Sequence, residues 1–91
     1  MTNWNISFVP EAENEFKKLD KNLKKRIAEK LDWLKINFDR ISPSTLGGEW
    51  RGFFKLRIGD WRIIYKVDYS EHLIIIYLIG TRNKIYKKRK Y

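Results

Sequence analysis

Near the N-terminus, the hydrophobic residues follow first a strand pattern and then a helical one. Trp4, Ile6 and Phe8 occupy alternate positions, which predicts a short strand with one buried face. Pro10 ends this strand and suits the first turn of a helix. Acidic side chains in segment 11–15 match the positive end of the helix dipole. The apolar stripe of this short first helix consists of Ala12, Phe16 and Leu19.

A second, longer helix is predicted after Asp20, whose carboxylate suits the N-cap position. Its apolar residues recur at helical spacing and are Leu23, Ile27, Leu31, Leu34 and Phe38. We expect this helix to end by Asn37. Two amphipathic helices are also typical of proteins that bind membrane surfaces, but stripes beside predicted strands are more simply explained by packing on a sheet. Segment 39–49, with one proline and two glycines, is predicted to be a connecting loop.

From Trp50 onwards the pattern predicts strands. Gly59-Asp60 lies between RGFFKLRI and WRIIYKV, which predicts a hairpin with a two-residue turn. Segment 68–72 forms a second connection, and the apolar run Leu73–Ile79 predicts a third strand that is central or covered on its second face. The expected fold is a single α+β domain over residues 1–91, in the order β-α-α-β-β-β. Its two N-terminal helices pack on one face of an antiparallel twisted sheet, and its first strand is separate from the three later ones.

The two-residue turn sets the register of the hairpin, because Ile58 must then face Trp61 and Arg57 must face Arg62. One side is apolar and consists of Phe54, Leu56, Ile58, Trp61, Ile63 and Tyr65. The other side consists of Phe53, Lys55, Arg57, Arg62, Ile64 and Lys66. Like charges opposed across strands are unfavourable, whereas a bound phosphate matches the arginine fork. We therefore predict an anion site here; the alternative is an ordinary solvated face, which would usually include Glu or Thr.

The charge of the chain is concentrated in its second half. Among 91 residues, 20 are Lys or Arg and 11 are Asp or Glu, for a net charge of +9. Residues 1–45 hold nine basic and seven acidic side chains, and residues 46–91 hold eleven and four. This asymmetry indicates a polyanionic partner, namely nucleic acid, an anionic membrane or an acidic protein. A basic protein without a particular partner is the alternative.

The residue types present exclude several kinds of chemistry. The chain has no cysteine and a single histidine, His72, which is expected to be exposed in a turn. Disulfides, cysteine zinc sites and thiol catalysis are therefore excluded, and no metal or other cofactor is expected. The N-terminal segment has no export signal, and the longest apolar run is too short to span a bilayer. We expect a cytoplasmic protein that does not insert into membranes.

The end of the third strand is predicted to extend the basic site. Arg82 lies an even number of residues after Ile74, Ile76 and Leu78, so alternation along the strand would put it on the same face as these residues. Tyr86 follows four residues later, within reach of the same site. Tyr86 is either an aromatic that stacks on an RNA base or a core residue of a short terminal helix, and spacing alone leaves both open. The further residues expected to contact RNA are Phe53, Lys66, Lys84, Lys87, Lys88 and Arg89.

Three segments resemble the RelE family of toxins within the RelE/ParE superfamily. They are Leu46-Gly47-Gly48, FFKLRIGDWRIIYKV and LIGTRNKIY, and the similarity extends over essentially the whole chain. It is strongest over Phe54–Val67 and Ile79–Tyr86. The resemblance implies a ribosome-dependent endoribonuclease that cleaves mRNA in the A site and inhibits translation. It also implies partners: mRNA, ribosomal RNA and a cognate RelB-like antitoxin, with which an otherwise monomeric toxin forms a hetero-oligomer.

The resemblance assigns roles by position. Lys55 matches the probable general base, Arg57 and Arg62 match arginines that stabilise the scissile phosphate, and Tyr86 matches a tyrosine that stacks on the nucleotide. Arg82 matches the proposed general acid, but a guanidinium hardly ever gives up its proton, so we expect it to stabilise phosphate. Two positions depart from the pattern: Phe53 replaces a lysine and Thr81 replaces a frequent histidine.

Two alternative functions remain open at the level of sequence. The first is a ParE-type inhibitor of DNA gyrase, with the same fold and no RNA chemistry. The second is a non-catalytic RNA-binding relative, which the departures at Phe53 and Thr81 favour. The cluster of Lys55, Arg57 and Arg62 favours RNA cleavage, because inhibition of a protein target does not require a phosphate site.

Overall fold

Two helices lie against one face of a five-stranded sheet in the computed structural model, which describes residues 4–41, 44–45 and 52–87. At residues 44, 45, 82, 86 and 87 it describes the backbone alone. The strands are β1 (Asn5–Phe8), β2 (Ser44–Thr45), β3 (Phe54–Ile58), β4 (Trp61–Asp68) and β5 (Leu73–Thr81). The helices are α1 (Pro10–Lys17), α2 (Lys21–Asn37) and α3 (Arg82–Lys87), and a 3₁₀ turn spans Phe38–Arg40. The predicted α+β class is confirmed.

The two N-terminal helices begin and end where the sequence predicts. Pro10 is the first residue of α1, and the Asp20 carboxylate caps α2 by accepting a hydrogen bond of 2.9 Å from the Leu23 N–H. The helix ends at Asn37. Its predicted apolar stripe is buried over its full length, namely Leu23, Ile27, Leu31, Leu34 and Phe38. Within the described part of the chain, every helix is too short or too polar to cross a membrane.

The order of the sheet is β1-β5-β4-β3-β2, and β1 is parallel to β5. The sheet is therefore mixed, which corrects the prediction of a wholly antiparallel sheet with a separate first strand. Backbone groups on the edge of β5 that β4 leaves uncovered need hydrogen-bond partners, and β1 supplies them. The N–H of Val9, the residue directly after β1, also donates to the Ile76 carbonyl at 3.0 Å. The predicted central position of β5, between β1 and β4, is confirmed.

Two elements go beyond the predicted order. The strand β2 lies within segment 39–49, which was predicted to be a loop, and pairs with Phe54 and Lys55 of β3. Residues 42–43 and 46–49 of that segment, including Leu46-Gly47-Gly48, lie outside the described residues. The helix α3 contains Tyr86, for which stacking on RNA and a core position in a short terminal helix are the predicted alternatives; both stay predictions, because only the backbone is described there.

The hairpin of β3 and β4 has the predicted turn and register. Gly59 adopts a φ of +59°, which is the region that a two-residue turn led by glycine requires. A Cβ at Gly59 would also lie 3.1 Å from Nη2 of Arg26 in α2, so the turn and the helix approach closely. The observed pairs are Ile58 with Trp61, Arg57 with Arg62, Leu56 with Ile63, Lys55 with Ile64 and Phe54 with Tyr65.

The main core lies between the helices and the apolar side of the sheet. The apolar hairpin residues pack there, as predicted, and Tyr65 is almost fully buried. Burial raises the pKa of the Tyr65 hydroxyl to about 12, with a smaller contribution from Tyr69. Trp4 closes one end of the core against Phe38, and its Nε1 donates a hydrogen bond of 2.9 Å to the Asp39 carboxylate.

Replacing Asp20 with Ala should lower the free energy of unfolding by about 1 kcal/mol, because the Leu23 N–H loses its acceptor. Urea denaturation followed by circular dichroism measures the change. Asp20→Asn is the matched control and should lose much less, since an amide oxygen can cap as well. Equal losses in the two variants would contradict a capping role for Asp20.

Candidate anion-binding site

The predicted cluster of cations lies on the side of the sheet opposite α1 and α2, which we call the cationic face. Its hairpin residues are Phe53, Lys55, Arg57, Arg62, Ile64 and Lys66. The register places Arg57 directly opposite Arg62 and Lys55 opposite Ile64. Directly opposed residues share a face, so the structure brings Lys55, Arg57 and Arg62 together, as the sequence predicts.

The two opposed arginines differ in how firmly they are held. Their Cβ atoms lie within about 4.5–5.5 Å, the spacing of residues paired across an antiparallel ladder. Arg57 is exposed, whereas Arg62 is partly buried. Nη1 of Arg62 donates hydrogen bonds to the carbonyls of Gly59 and Trp61, both at 3.0 Å. These bonds hold the guanidinium beside the turn, and Nε and Nη2 have no partner among the described residues.

Lys55, like Arg62, lies on a strand that has a neighbour on each side. It lies on β3 between two neighbouring strands, opposite Ser44 of β2 and Ile64 of β4. It is partly buried, while Lys66 further along β4 is exposed. The strands on both sides fix the backbone of Lys55, so its side chain starts from a fixed point on the cationic face.

In the part of the chain that the structure describes, the hairpin cations have no carboxylate partner. Among residues 4–41, 44–45 and 52–87, no ion pair involves Lys55, Arg57, Arg62 or Lys66. Lys84, a predicted RNA contact, differs: its Nζ lies 2.9 Å from Oε1 of Glu15 in α1. The charge of Lys84 is thus shared with a protein carboxylate, while the hairpin cations keep theirs available for an external anion.

A small second core underlies the cationic face. It consists of Ile64, Leu78 and Ile85, with Phe53 packed against it. Ile85 belongs to α3, so this helix lies on the same side of the sheet as the cations. Gly80, which pairs with Arg62, lies next to this helix: a Cβ there would make ordinary van der Waals contacts, 3.4 Å from Cδ of Lys84 and 3.5 Å from Cδ1 of Ile85.

A β-bulge changes the strand parity that the sequence predicts for β5. Ile64 pairs with Leu78 and Tyr65 pairs with Ile76, so Tyr77 has no partner on β4. Ile74 and Ile76 therefore belong to the main core, whereas Leu78 belongs to the second core. The predicted shared parity of Arg82 with these three residues is wrong. Arg82 is instead the first residue of α3, two positions after the partner of Arg62.

Sequence reasoning missed Tyr77 on the cationic face. Its ring centroid lies 5.0 Å from that of Phe53, and Nζ of Lys66 lies 6.0 Å from it. Alternation from Ile74 and Ile76 gives this placement, and the bulge then puts the next residue, Leu78, on the same side of the sheet. No simple alternation in the sequence marks such a pair.

For the other residues predicted to contact RNA, the structure describes either the backbone alone or nothing. The backbones of Arg82, Tyr86 and Lys87 lie in α3, beside the cationic face, while Lys88 and Arg89 lie outside the described residues. The roles of these residues stay predictions. His72 is exposed in the turn after β4, as predicted. In the described part of the chain, no three carboxylate or histidine side chains are grouped closely enough to hold a metal ion.

Several solved structures share this fold. The RelBE2 toxin–antitoxin complex of Mycobacterium tuberculosis contains a chain that is 23% identical, with a TM-score of 0.78 over 90% of this chain and 94% of that one. Isolated RelE toxin of Escherichia coli is 20% identical, with a TM-score of 0.73 over 93% of each chain. A chain of the YoeB–YefM complex from Staphylococcus aureus is 25% identical, with a TM-score of 0.70 over 89% and 99%. A search of curated proteins gave no match.

The fold is thus RelE-like, as the sequence predicts. Residues 6–86 match the family described as the ParE toxin of the type II toxin–antitoxin system parDE. The chain belongs to this ParE toxin family and is a toxin of a type II toxin–antitoxin system.

Replacing Arg57 with Gln should stabilise the protein in low-salt buffer without phosphate, because it removes the repulsion between Arg57 and Arg62. The expected gain in the free energy of unfolding is a few tenths of a kcal/mol, up to about 1 kcal/mol. Added sulfate should in turn stabilise the wild type more than the variant, since the anion bridges both arginines. Urea denaturation at several salt concentrations measures both effects.

Arg40→Gln is the control for this comparison, because Arg40 is an exposed arginine outside the sheet. Its stability should change little, with or without sulfate. If Arg57→Gln were less stable than the wild type in buffer without sulfate, the opposed arginines would not repel each other, and an anion would not be needed to relieve them.

Proposed function

We propose that this toxin is a metal-independent endoribonuclease that cleaves mRNA in the ribosomal A site and so inhibits translation. The observation that carries the proposal is the group of Lys55, Arg57 and Arg62 on one face, without a carboxylate partner among the described residues. Folding alone disfavours such a cluster, and a phosphodiester backbone is a ligand that reverses the penalty.

RNA carries its own nucleophile, the 2′-hydroxyl, so the protein does not have to supply one. The 2′-oxygen attacks the adjacent phosphorus, the bond from phosphorus to the next 5′-oxygen breaks, and a 2′,3′-cyclic phosphate and a 5′-hydroxyl are formed. Lys55 accepts the proton of the 2′-hydroxyl. Arg57 and Arg62 stabilise the charge that develops on the phosphate oxygens.

The residues of α3 complete the proposed site. We assign Arg82 to stabilisation of the same phosphate, because a guanidinium is a poor proton donor, and the 5′-oxygen takes its proton from solvent. Tyr86 stacks on a base next to the scissile bond, as the family resemblance implies. The backbone of α3 lies beside Gly80, the partner of Arg62, which supports this arrangement.

We expect the proposed partners to bind at the cationic face. The mRNA enters it together with ribosomal RNA, and the remaining basic side chains contact this RNA in a salt-dependent way. A cognate RelB-like antitoxin neutralises the toxin with an apolar helix and acidic side chains, and forms a hetero-oligomer with an otherwise monomeric chain. Similar folds occur in the RelBE2 and YoeB–YefM toxin–antitoxin complexes, which supports such a partner.

Mapping of mRNA 5′ ends by primer extension, in a reconstituted translation reaction, tests the activity. The wild type should cut ribosome-bound mRNA and leave naked mRNA largely intact. Arg62→Ala should lower the cleavage rate about 10²-fold or more, the usual cost of losing one transition-state contact, and Arg82→Ala should also cause a strong loss. Arg62→Lys should retain part of the activity, because it keeps the charge without the fork.

Arg40→Ala is the matched control, since it removes an exposed arginine from the 3₁₀ turn. It should cleave like the wild type. Because Arg62 also bonds to the turn, each variant is first checked for an unchanged melting temperature. Full cleavage by folded Arg62→Ala and Arg82→Ala would reject the assigned site, and binding without any scission by the wild type would indicate a non-catalytic RNA-binding relative.

The family match to ParE toxins favours a second candidate, an inhibitor of DNA gyrase. A supercoiling assay with purified gyrase separates the two candidates. We expect no inhibition at toxin concentrations that cleave mRNA on ribosomes, because the exposed cations are suited to an RNA phosphate. Inhibition of supercoiling with translation unaffected would replace the first proposal by the second.

A further inference from the structure

Three side chains on the cationic face form a contiguous group that we call the aromatic platform: Phe53, Lys66 and Tyr77. The rings of Phe53 and Tyr77 meet edge to face, with centroids 5.0 Å apart and an interplanar angle of 89°. Nζ of Lys66 lies 5.2 Å from the Phe53 centroid and 6.0 Å from that of Tyr77. The platform thus combines two aromatic rings with one cation, within the distance of a cation–π contact.

Tyr77 lies on this face at an irregularity of β5. Counted forward from Ile74 and Ile76, which lie in the main core, regular alternation turns Tyr77 to the cationic face. The bulge opposite Ile64 and Tyr65 leaves Tyr77 unpaired and puts the next residue, Leu78, on the same face. Bulges are frequent beside functional sites, where they re-aim a side chain.

Packing alone does not account for the platform. The second core is formed by Ile64, Leu78 and Ile85, each at most 5% exposed, whereas Tyr77 is only partly buried and Lys66 is exposed. A similar pair occurs on α2, where Nζ of Lys30 lies 4.2 Å from the Trp33 ring. An aromatic–cation pair is therefore not a binding site by itself. Whether the platform can bind RNA depends on where it lies relative to the proposed phosphate site.

The position of the platform joins it to the proposed phosphate site. Phe53 and Lys55 are alternate residues leading into and along β3, so they share the cationic face. Lys66 and Arg62 lie four residues apart on β4, which corresponds to about 13 Å along the strand. A single RNA strand that crosses the sheet therefore meets cations and aromatic rings on one continuous surface. Proteins bind single strands with this combination: cations track the backbone and aromatic rings stack on bases.

We propose that Tyr77, supported by Phe53 and Lys66, forms a stacking subsite for the base of a nucleotide that flanks the scissile phosphate. This subsite is separate from the role of Tyr86 and rests on the proposed ribonuclease function. Because stacking involves the ring face, the subsite accepts any base and stabilises bound RNA without taking part in the reaction.

Single-turnover cleavage on programmed ribosomes tests the subsite, with the rate measured as a function of toxin concentration. Tyr77→Leu keeps the apolar bulk but removes the ring, and should raise the half-saturating concentration roughly 5- to 100-fold, the range expected for one lost base–aromatic stack. The maximal rate should change little. Tyr77→Phe should behave like the wild type, and the Tyr77→Leu defect should disappear with mRNA that has an abasic residue at the stacked position.

Trp33→Leu is the matched control, because it removes an exposed ring beside a lysine from the opposite layer, and it should leave cleavage unchanged. If the wild type cleaves normally and Tyr77→Leu does too, the subsite is refuted while the ribonuclease proposal stands. The subsite is likewise refuted if Tyr77→Leu affects only neutralisation by a protein partner. If the wild type does not cleave, the proposed function fails and the subsite fails with it.

Discussion

The pairing of Arg57 with Arg62 across the hairpin is the interaction on which the proposed function depends. A two-residue turn led by Gly59 leaves only one register, and that register sets two positive side chains opposite each other. The strands gain nothing from the pair, since like charges in this position weaken the hairpin. The apolar side of the same hairpin provides the compensation, because it is packed beneath the helices and contains the buried Ile63 and Tyr65.

The two faces of the sheet thus differ in role: one forms the main core and the other carries the cations. One supplies the main core, and its packing against α1 and α2 makes the register of the strands rigid. The other carries cations above a second, smaller core, where Ile85 of α3 meets Ile64 and Leu78. Both faces of β4 and β5 are packed, one against the main core and the other against the second core. This packing holds in place the backbone that carries the cations, and electrostatic stabilisation of a transition state requires such preorganised groups. The fold is shared with RelE and YoeB structures and does not by itself define an activity, which depends on the residues that the fold presents.

Much of the fold followed from local pattern. Helices α1 and α2, the cap at Asp20, the turn at Gly59-Asp60 and the two sides of the hairpin depend on residues close in sequence, where spacing and turn chemistry act directly. The placement of β1 could not be predicted in this way. Its parallel pairing with β5 joins residues almost seventy positions apart, and such a contact is selected by the free edge of the assembled sheet.

The sequence by itself determined the composition of the site: Lys55, Arg57 and Arg62 lie within eight residues around one turn, and period-two geometry brings them to one face. Only the tertiary structure decided what surrounds them. The bulge that puts Tyr77 and Leu78 on one face, the contact of α3 with Gly80 and the ion pair of Lys84 with Glu15 arise when separate elements meet. Their physical origin is packing between distant segments, which leaves no periodic signal in the chain.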